Sequence, residues 1–250
     1  MPAAKLITLI VIFFCASIIS VVTGSTSLIT VPVMIAMGIE AHIAIATNML
    51  ALTFMSAGGS LPFLGKGVVE RKRLPISILL TIIGSALGAL VLLSVPVRTL
   101  RIIIGVAMIG ICFFSLRQKS TPSASPNAVK SGTATIGGYA ATFGLAVYGG
   151  FFSGGYVTLL TFVFLVLFGM SFLQAVATTK VVNIFSSGVA AIVFLCRGTI
   201  DVKLGVVLGV AMFFGALLGG RLTLLLSEVW LRRVFLIAVI GLAIKMLWLE

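Results

Sequence analysis

Ala177-Thr178-Thr179-Lys180-Val181-Val182-Asn183, continuing through Phe185-Ser186-Ser187, sets one lysine deep inside an apolar run from Phe172 to Leu195. That run can cross a bilayer, because roughly 30 Å of hydrocarbon takes about 20 helical residues. Moving an ammonium into hydrocarbon costs roughly 3 kcal/mol on insertion scales and more in simulation. Such a residue usually faces a bundle interior and often marks a transport path, so the stretch predicts that Lys180 helps hold an anion. The plainer alternative is a lysine that snorkels to the interface or bonds a carbonyl of a neighbouring helix.

The surrounding chain is of the same kind. Of 250 residues 60% are hydrophobic and 9% charged, and a mean hydropathy of +1.31 predicts an all-α polytopic membrane protein embedded in a lipid bilayer. The net charge of +12 invites a nucleic-acid reading, but the bases fall in short connections between apolar runs and form no binding face, which excludes it. Cys15, Cys112 and Cys196 lie within or at the end of apolar segments without metal or redox spacing and read as packing residues; no motif calls for a cofactor or a metal. The run from Leu6 to Val22 follows a basic start but lacks a small-residue cleavage site, so it reads as a first membrane helix.

Apolar spans follow at about Ile43 to Leu64, Pro75 to Val95 and Leu100 to Leu116. The first stretch, Leu6 to Gly38, is interrupted by Thr23-Gly24-Ser25-Thr26-Ser27 and by Pro32, which predicts a broken helix. Arg117 to Thr133 reads as a flexible cytoplasmic linker. Beyond it the pattern restarts, with Ala134 to Gly169 broken at Gly149-Gly150 and Ser153-Gly154-Gly155, then spans at Phe172 to Leu195, Leu204 to Leu226 and Leu231 to Leu249.

The restart is an internal repeat. A gap-free offset of 131 residues matches 22 of the 87 positions from Gly24 to Gly110, including Gly24/Gly155, Gly38/Gly169, Gly67/Gly198, Gly84/Gly215, Gly88/Gly219 and Gly110/Gly241. The expected organisation is about eight transmembrane helices in two four-helix repeats, 1–116 and 134–250, joined by the linker 117–133, with the first helix of each repeat broken. Gly84, Gly88, Gly215 and Gly219 have the small-xxx-small spacing of close helix packing.

If each broken segment crosses the membrane once, eleven basic residues lie on one side and four (Arg98, Arg101, Arg232, Arg233) on the other. That asymmetry favours parallel repeats with both termini in the cytoplasm of an inner-membrane protein. Re-entrant breaks would instead make the halves inverted. His42, in a connection, reads as interfacial.

All five acidic residues, Glu40, Glu70, Asp201, Glu228 and Glu250, lie in connections or at the chain end. Lys180 therefore has no intramembrane carboxylate to pair with, and an anionic ligand fits the vacancy. At 100° per residue Thr179, Lys180, Asn183, Ser186 and Ser187 form one polar stripe. The equivalent helix of the first half carries Thr47, Asn48 and Ser56, with Met49 at the position of Lys180. Half-helices starting near Ser27 and Tyr156 would aim N–H groups at the protein centre. Gly154 and Gly155 permit the break, while Ser25, Thr26, Ser27 and Thr158 add hydroxyl donors.

The duplicated pattern resembles the TauE/SafE sulfite exporter family of membrane permeases. The resemblance rests on Thr23-Gly24-Ser25-Thr26-Ser27 with Val31-Pro32, Ala46-Thr47-Asn48, Gly67-Val68-Val69-Glu70, Ala177-Thr178-Thr179-Lys180, Gly198-Thr199-Ile200-Asp201 and Gly215 to Arg221. It implies transport of sulfite, sulfonates or related small organic anions without ATP hydrolysis. Ser25-Thr26-Ser27 replaces the family's glycine triplet, and a more polar break suits a different oxyanion or a carboxylate. A membrane chaperone without a transported substrate is the alternative of another class. An enzyme is disfavoured, since HExxH, GxSxG and an intramembrane carboxylate pair are missing. Homo-oligomerisation is left open.

Overall fold

A computed structural model describes residues 2–24, 26–100, 102–106 and 132–224. The helices are α1 (Ala3–Thr23), α2 (Ser27–Ala36), α3 (Ala41–Ser60), α4 (Leu74–Ser94), α5 (Gly132–Phe151), α6 (Tyr156–Val166), α7 (Phe172–Cys196) and α8 (Val202–Thr223). Residues 97–100 and 102–106 are also helical. Among the described residues five helices, α1, α3, α4, α7 and α8, are long and apolar enough to cross a membrane. Most of the linker and most of each half's last span lie outside the described residues; the linker's last two residues, Gly132 and Thr133, already belong to α5.

Local chemistry sets the helix starts. Ser171 and Gln174 close a reciprocal capping box on α7, with Ser171 N donating to Gln174 Oε1 at 3.0 Å and Gln174 N to Ser171 Oγ at 3.3 Å. Glu40 accepts from the first backbone N–H groups of α3, and Asp201 from Leu204 N of α8. Gly24 closes α1 at φ +72°, and Gly155 precedes α6 at φ +79°, left-handed backbone that glycine adopts without penalty. The two breaks meet, since a Cβ on Gly24 would lie 2.7 Å from the Val157 Cβ and 2.8 Å from the Thr158 nitrogen.

The element order of the first half, α1 to α4, recurs as α5 to α8. The halves are inverted, however, and not parallel as the charge count favoured. On the central pair Thr53 meets Gly188, Ser56 meets Asn183 and Gly59 meets Lys180: numbers rise along α3 as they fall along α7, so these repeat-related helices run antiparallel. Helix α8 lies parallel to α3, with Gly205 against Leu50 and Gly209 against Phe54, and α1 lies parallel to α8, with Gly215 against Phe14 and Gly219 against Ile18. Helices α4 and α5 repeat that arrangement through Gly84 against Ala146 and Gly88 against Val147. The four small-xxx-small glycines thus fasten each half to the other.

The breaks do not carry the chain across. Thr26 contacts Met55 and Thr30 contacts Asn48, so α2 runs antiparallel to α3 and back towards the face where α1 began. At that face Lys5 Nζ donates to Met37 O at 3.1 Å. In the second half α6 ends at the opposite face, where Arg73 Nη1 donates to Phe168 O at 3.2 Å. Met37 and Phe168 are 131 positions apart, and each cation sits at the carbonyl end of a half-helix, where the backbone dipole favours it. Lys5, His42 and Lys203 therefore share one face, and Lys66 to Arg73 stand on the other. Among the described residues the bases at the two faces divide about evenly, Lys5, Arg98, Arg197 and Lys203 on one and Lys66, Arg71, Lys72, Arg73 and Arg221 on the other, so the charge count no longer orients the termini. His42 lies in the first turn of α3 and not in a connection, at the same end of the fold, bonded to Glu40 Oε1 and Val95 O at 2.9 Å each. Cys15 and Cys196 are exposed on the helix surface, not packed as expected; Cys112 lies outside the described residues.

Two reciprocal bonds lock the halves. Asp201 N donates to Thr47 Oγ1 at 3.1 Å, and Glu70 N donates to Thr178 Oγ1 at 3.0 Å. Each threonine serves the loop of the other half.

Candidate functional site

The crossing of α3 and α7 is centred near Phe54 and Phe185. Lys180 is five residues from Phe185, about 7.5 Å along the helix. It is 1% exposed. Its Nζ donates to the Ser20 carbonyl at 3.1 Å, in the last turn of α1 before the break at Gly24. An ammonium carries three donors, and with the described residues it forms this one hydrogen bond and no ion pair.

Lys180 lines a closed cavity with Asn183, Gly24, Thr26, Ser27, Leu52, Met55, Ser153 and Val157. Both halves contribute, and Thr26/Val157 and Leu52/Asn183 are repeat-related pairs. The free volume is about 10 Å³, room for about one water molecule. This conformation is closed around its polar groups. Asn183 Nδ2 donates to Ser56 Oγ at 2.6 Å, while Asn183 Oδ1 and Ser20 Oγ are buried without a partner among the described residues. Buried polar groups in native proteins are nearly always satisfied, so these atoms identify where a ligand, a water or a moving donor belongs.

Four of the sequence-predicted residues, Lys180, Asn183, Thr26 and Ser27, come together here. Thr26 Oγ1 contacts Met55 Sδ at 3.3 Å. Asn48 does not reach the cavity; it braces α2, donating to Ser27 Oγ at 2.9 Å and accepting from Thr30 Oγ1 at 2.7 Å. Thr179 occupies the matching position and accepts from Thr161 Oγ1 at 3.4 Å. Thr47 is spent on the Asp201 loop, and Ser187 Oγ donates to the Asn183 carbonyl of its own helix at 2.7 Å. Gly154 O accepts from Tyr148 Oη at 2.6 Å and Gly155 opens α6, so both shape the break without lining the cavity. Thr158 contributes a backbone nitrogen beside Gly24. Tyr156 is buried elsewhere, its ring against Gly149. Ser25 lies outside the described residues.

Sequence reasoning missed Ser20, Ser153, Leu52 and Met55. Leu52 carried a signal, being the repeat counterpart of Asn183. Ser20 acts through its main chain, which no side-chain pattern reveals. A larger groove of about 580 Å³ lies open at the other end of the fold between Lys5, Met37, Asp201 and Lys203; it is a surface feature without buried polar groups. Among the described residues no cluster of His, Cys, Asp or Glu could hold a metal.

Inverted halves, two facing helix breaks and a buried lysine between them are the plan of a membrane transporter. The comparisons place the chain within that class. It belongs to the family described as Sulfite exporter TauE/SafE, whose profile matches residues 9–246. A probable membrane transporter protein of Sinorhizobium sp, ORF9, is 32% identical over 248 residues, covering 96% of this chain and 91% of that protein. A probable membrane transporter protein of Haemophilus influenzae is 27% identical, covering 97% and 96%, and the probable membrane transporter protein YfcA of Escherichia coli K12 is 27% identical, covering 95% and 89%. No solved structure matches. The chain is thus a multi-pass membrane protein of a transporter family.

Proposed function

We propose that the protein is a secondary transporter that moves small sulfur-containing anions, such as sulfite or organosulfonates, across the inner membrane by alternating access. The observation that carries this reading is a lysine without a carboxylate partner among the described residues, facing a closed cavity where the two halves meet. An oxyanion would take Lys180 as its counter-charge and the Asn183 amide and the Thr26 and Ser27 hydroxyls as donors. Removing a charge from water is costly unless it is paired and hydrogen-bonded, and this set offers an anion both. Rocking of the inverted halves would open the cavity to one face and then the other, breaking the Thr47 and Thr178 bonds in turn.

Purified protein in liposomes should take up labelled sulfite or a sulfonate, competed by the other members of a panel that includes sulfate, thiosulfate and small carboxylates. Lys180→Met should abolish uptake while the unfolding temperature holds. Normal uptake by a folded Lys180→Met variant would sink the site, and a carboxylate outcompeting every sulfur anion would replace the substrate class.

A further inference from the structure

A second polar feature is left unexplained by the central cavity. Along α4, Arg73, Ser77, Thr81 and Ser85 follow one another at four-residue spacing, so they stand on one face from the Arg73 end of the fold towards its middle. The repeat-related positions on α8 are Leu204, Leu208, Met212 and Ala216. One half has a polar stripe where the other has an apolar one.

The hydroxyls of this stripe are buried, and Ser77 and Thr81 are short of partners. Ser77, Thr81 and Ser85 are each at most 1% exposed, and Tyr156 is fully buried. Among the described residues Ser77 Oγ, Thr81 Oγ1 and Tyr156 Oη close no hydrogen bond of good geometry, although the Tyr156 hydroxyl lies beside those of Thr81 and Ser186. Ser85 Oγ donates to the Ala146 carbonyl at 3.2 Å and meets Ser186 Oγ at 2.8 Å, on α7 one residue from the centre of the crossing. At the outer end the Arg73 guanidinium lies 4.5 Å above the centre of the Phe168 ring. Tyr156 itself opens α6, whose N-terminus presents partial positive charge.

A buried Ser77 hydroxyl without a partner among the described residues, and a Thr81–Tyr156–Ser186 hydroxyl group that closes no well-formed hydrogen bond to the Tyr156 hydroxyl, call for a further bound species, and the fixed charges decide its sign. A cationic mouth followed by the positive end of a half-helix repels protons and metal cations. We propose that this stripe is a one-sided path by which small anions reach the middle of the protein from the Arg73 face, with Ser77, Thr81 and Tyr156 replacing their water. The inference rests on the anion-transport reading and adds to it a selectivity device outside the central cavity.

Charged thiol reagents test it directly. In a background with Cys15, Cys112 and Cys196 replaced by Ala, Thr81→Cys and Met212→Cys are compared in liposomes, with reagent on both sides. Anionic sulfonatoethyl methanethiosulfonate should label Thr81→Cys about tenfold or more faster than the trimethylammonium reagent, after normalisation to free cysteine. Arg73→Gln should erase that preference, and Met212→Cys should show none. Ser77→Cys, one turn nearer the mouth, serves if Thr81→Cys fails to fold. Equal labelling by both reagents, or no labelling at either position, overturns the path. Labelling requires no turnover, so such a failure beside intact sulfite uptake would remove the path alone, whereas a charge preference without any uptake would remove the transport reading.

Discussion

Replacing Asn183 by the residue of its repeat counterpart, Leu52, should move stability and binding in opposite directions. In the closed state Asn183 gives one hydrogen bond, to Ser56 Oγ at 2.6 Å, and buries Oδ1 without a partner. Losing the bond costs about 1 kcal/mol, because Ser56 can turn back to a carbonyl of its own helix. Removing an unsatisfied buried acceptor returns about 1–3 kcal/mol. The empty Asn183→Leu protein should therefore be equally stable or up to about 2 kcal/mol more stable. For a chain of this size that is a rise of 0 to about 8 °C in unfolding temperature. A hydrogen bond to a charged ligand contributes about 1.5–3 kcal/mol, so sulfite affinity should fall by a factor of about ten to a hundred. Thermal unfolding with and without a sulfite titration measures both. A variant that unfolds several degrees lower when empty yet binds sulfite as before would refute the reasoning, since Asn183 would then be a structural residue.

The reciprocal threonines should behave as equals. Thr47→Val and Thr178→Val each strip the acceptor from a loop N–H, at about 1 kcal/mol apiece, and the distant pair should add; unequal losses on denaturation would break the pseudo-symmetry. An antiparallel central pair predicts that Thr53→Cys and Gly188→Cys, whose side chains approach within ordinary contact, form a disulfide on mild oxidation in the cysteine-free background, seen as a mobility shift. Absence of the cross-link in folded protein would count against the inverted arrangement. Burial opposes ionisation of Glu40, but the His42 side-chain and backbone bonds outweigh it and hold the carboxyl below its ordinary value. A lowered folded pKa means that Glu40 stabilises the protein above the unfolded carboxyl range, near 4.3, and that this contribution fades as pH falls through the folded value. Glu40→Gln should flatten the acid limb of the unfolding temperature, and an unchanged limb would remove Glu40 from the cap.

Much of the fold was legible in the sequence because the signals were local or duplicated. Apolar run lengths located the long helices, and aligned glycines at 84, 88, 215 and 219 identified contacts that the fold uses between halves. Direction was not legible. A helix pattern reads the same whichever way its axis points, and α2, about 15 Å long, could complete a crossing or turn back from Gly24. The charge count then rewarded the wrong alternative, because it presumed a crossing. Lys180 and Asn183 were legible as costly groups in apolar surroundings. Asn48, Thr47 and Ser187 belong to the same polar pattern yet spend their hydrogen bonds on α2, on a loop and on their own helix. Composition cannot separate a donor kept free for a ligand from one already used, and only the partners reveal it.

The central claim is that an oxyanion sits between Lys180 and Asn183. Selenite has the shape and charge of sulfite and scatters anomalously, so crystals grown with it locate the anion without reference to the protein map. The account predicts one anomalous peak within hydrogen-bonding distance of Lys180 Nζ and the Asn183 amide, lost in Lys180→Met. A selenite peak at the Lys5 and Lys203 groove, with none beside Lys180, would contradict it.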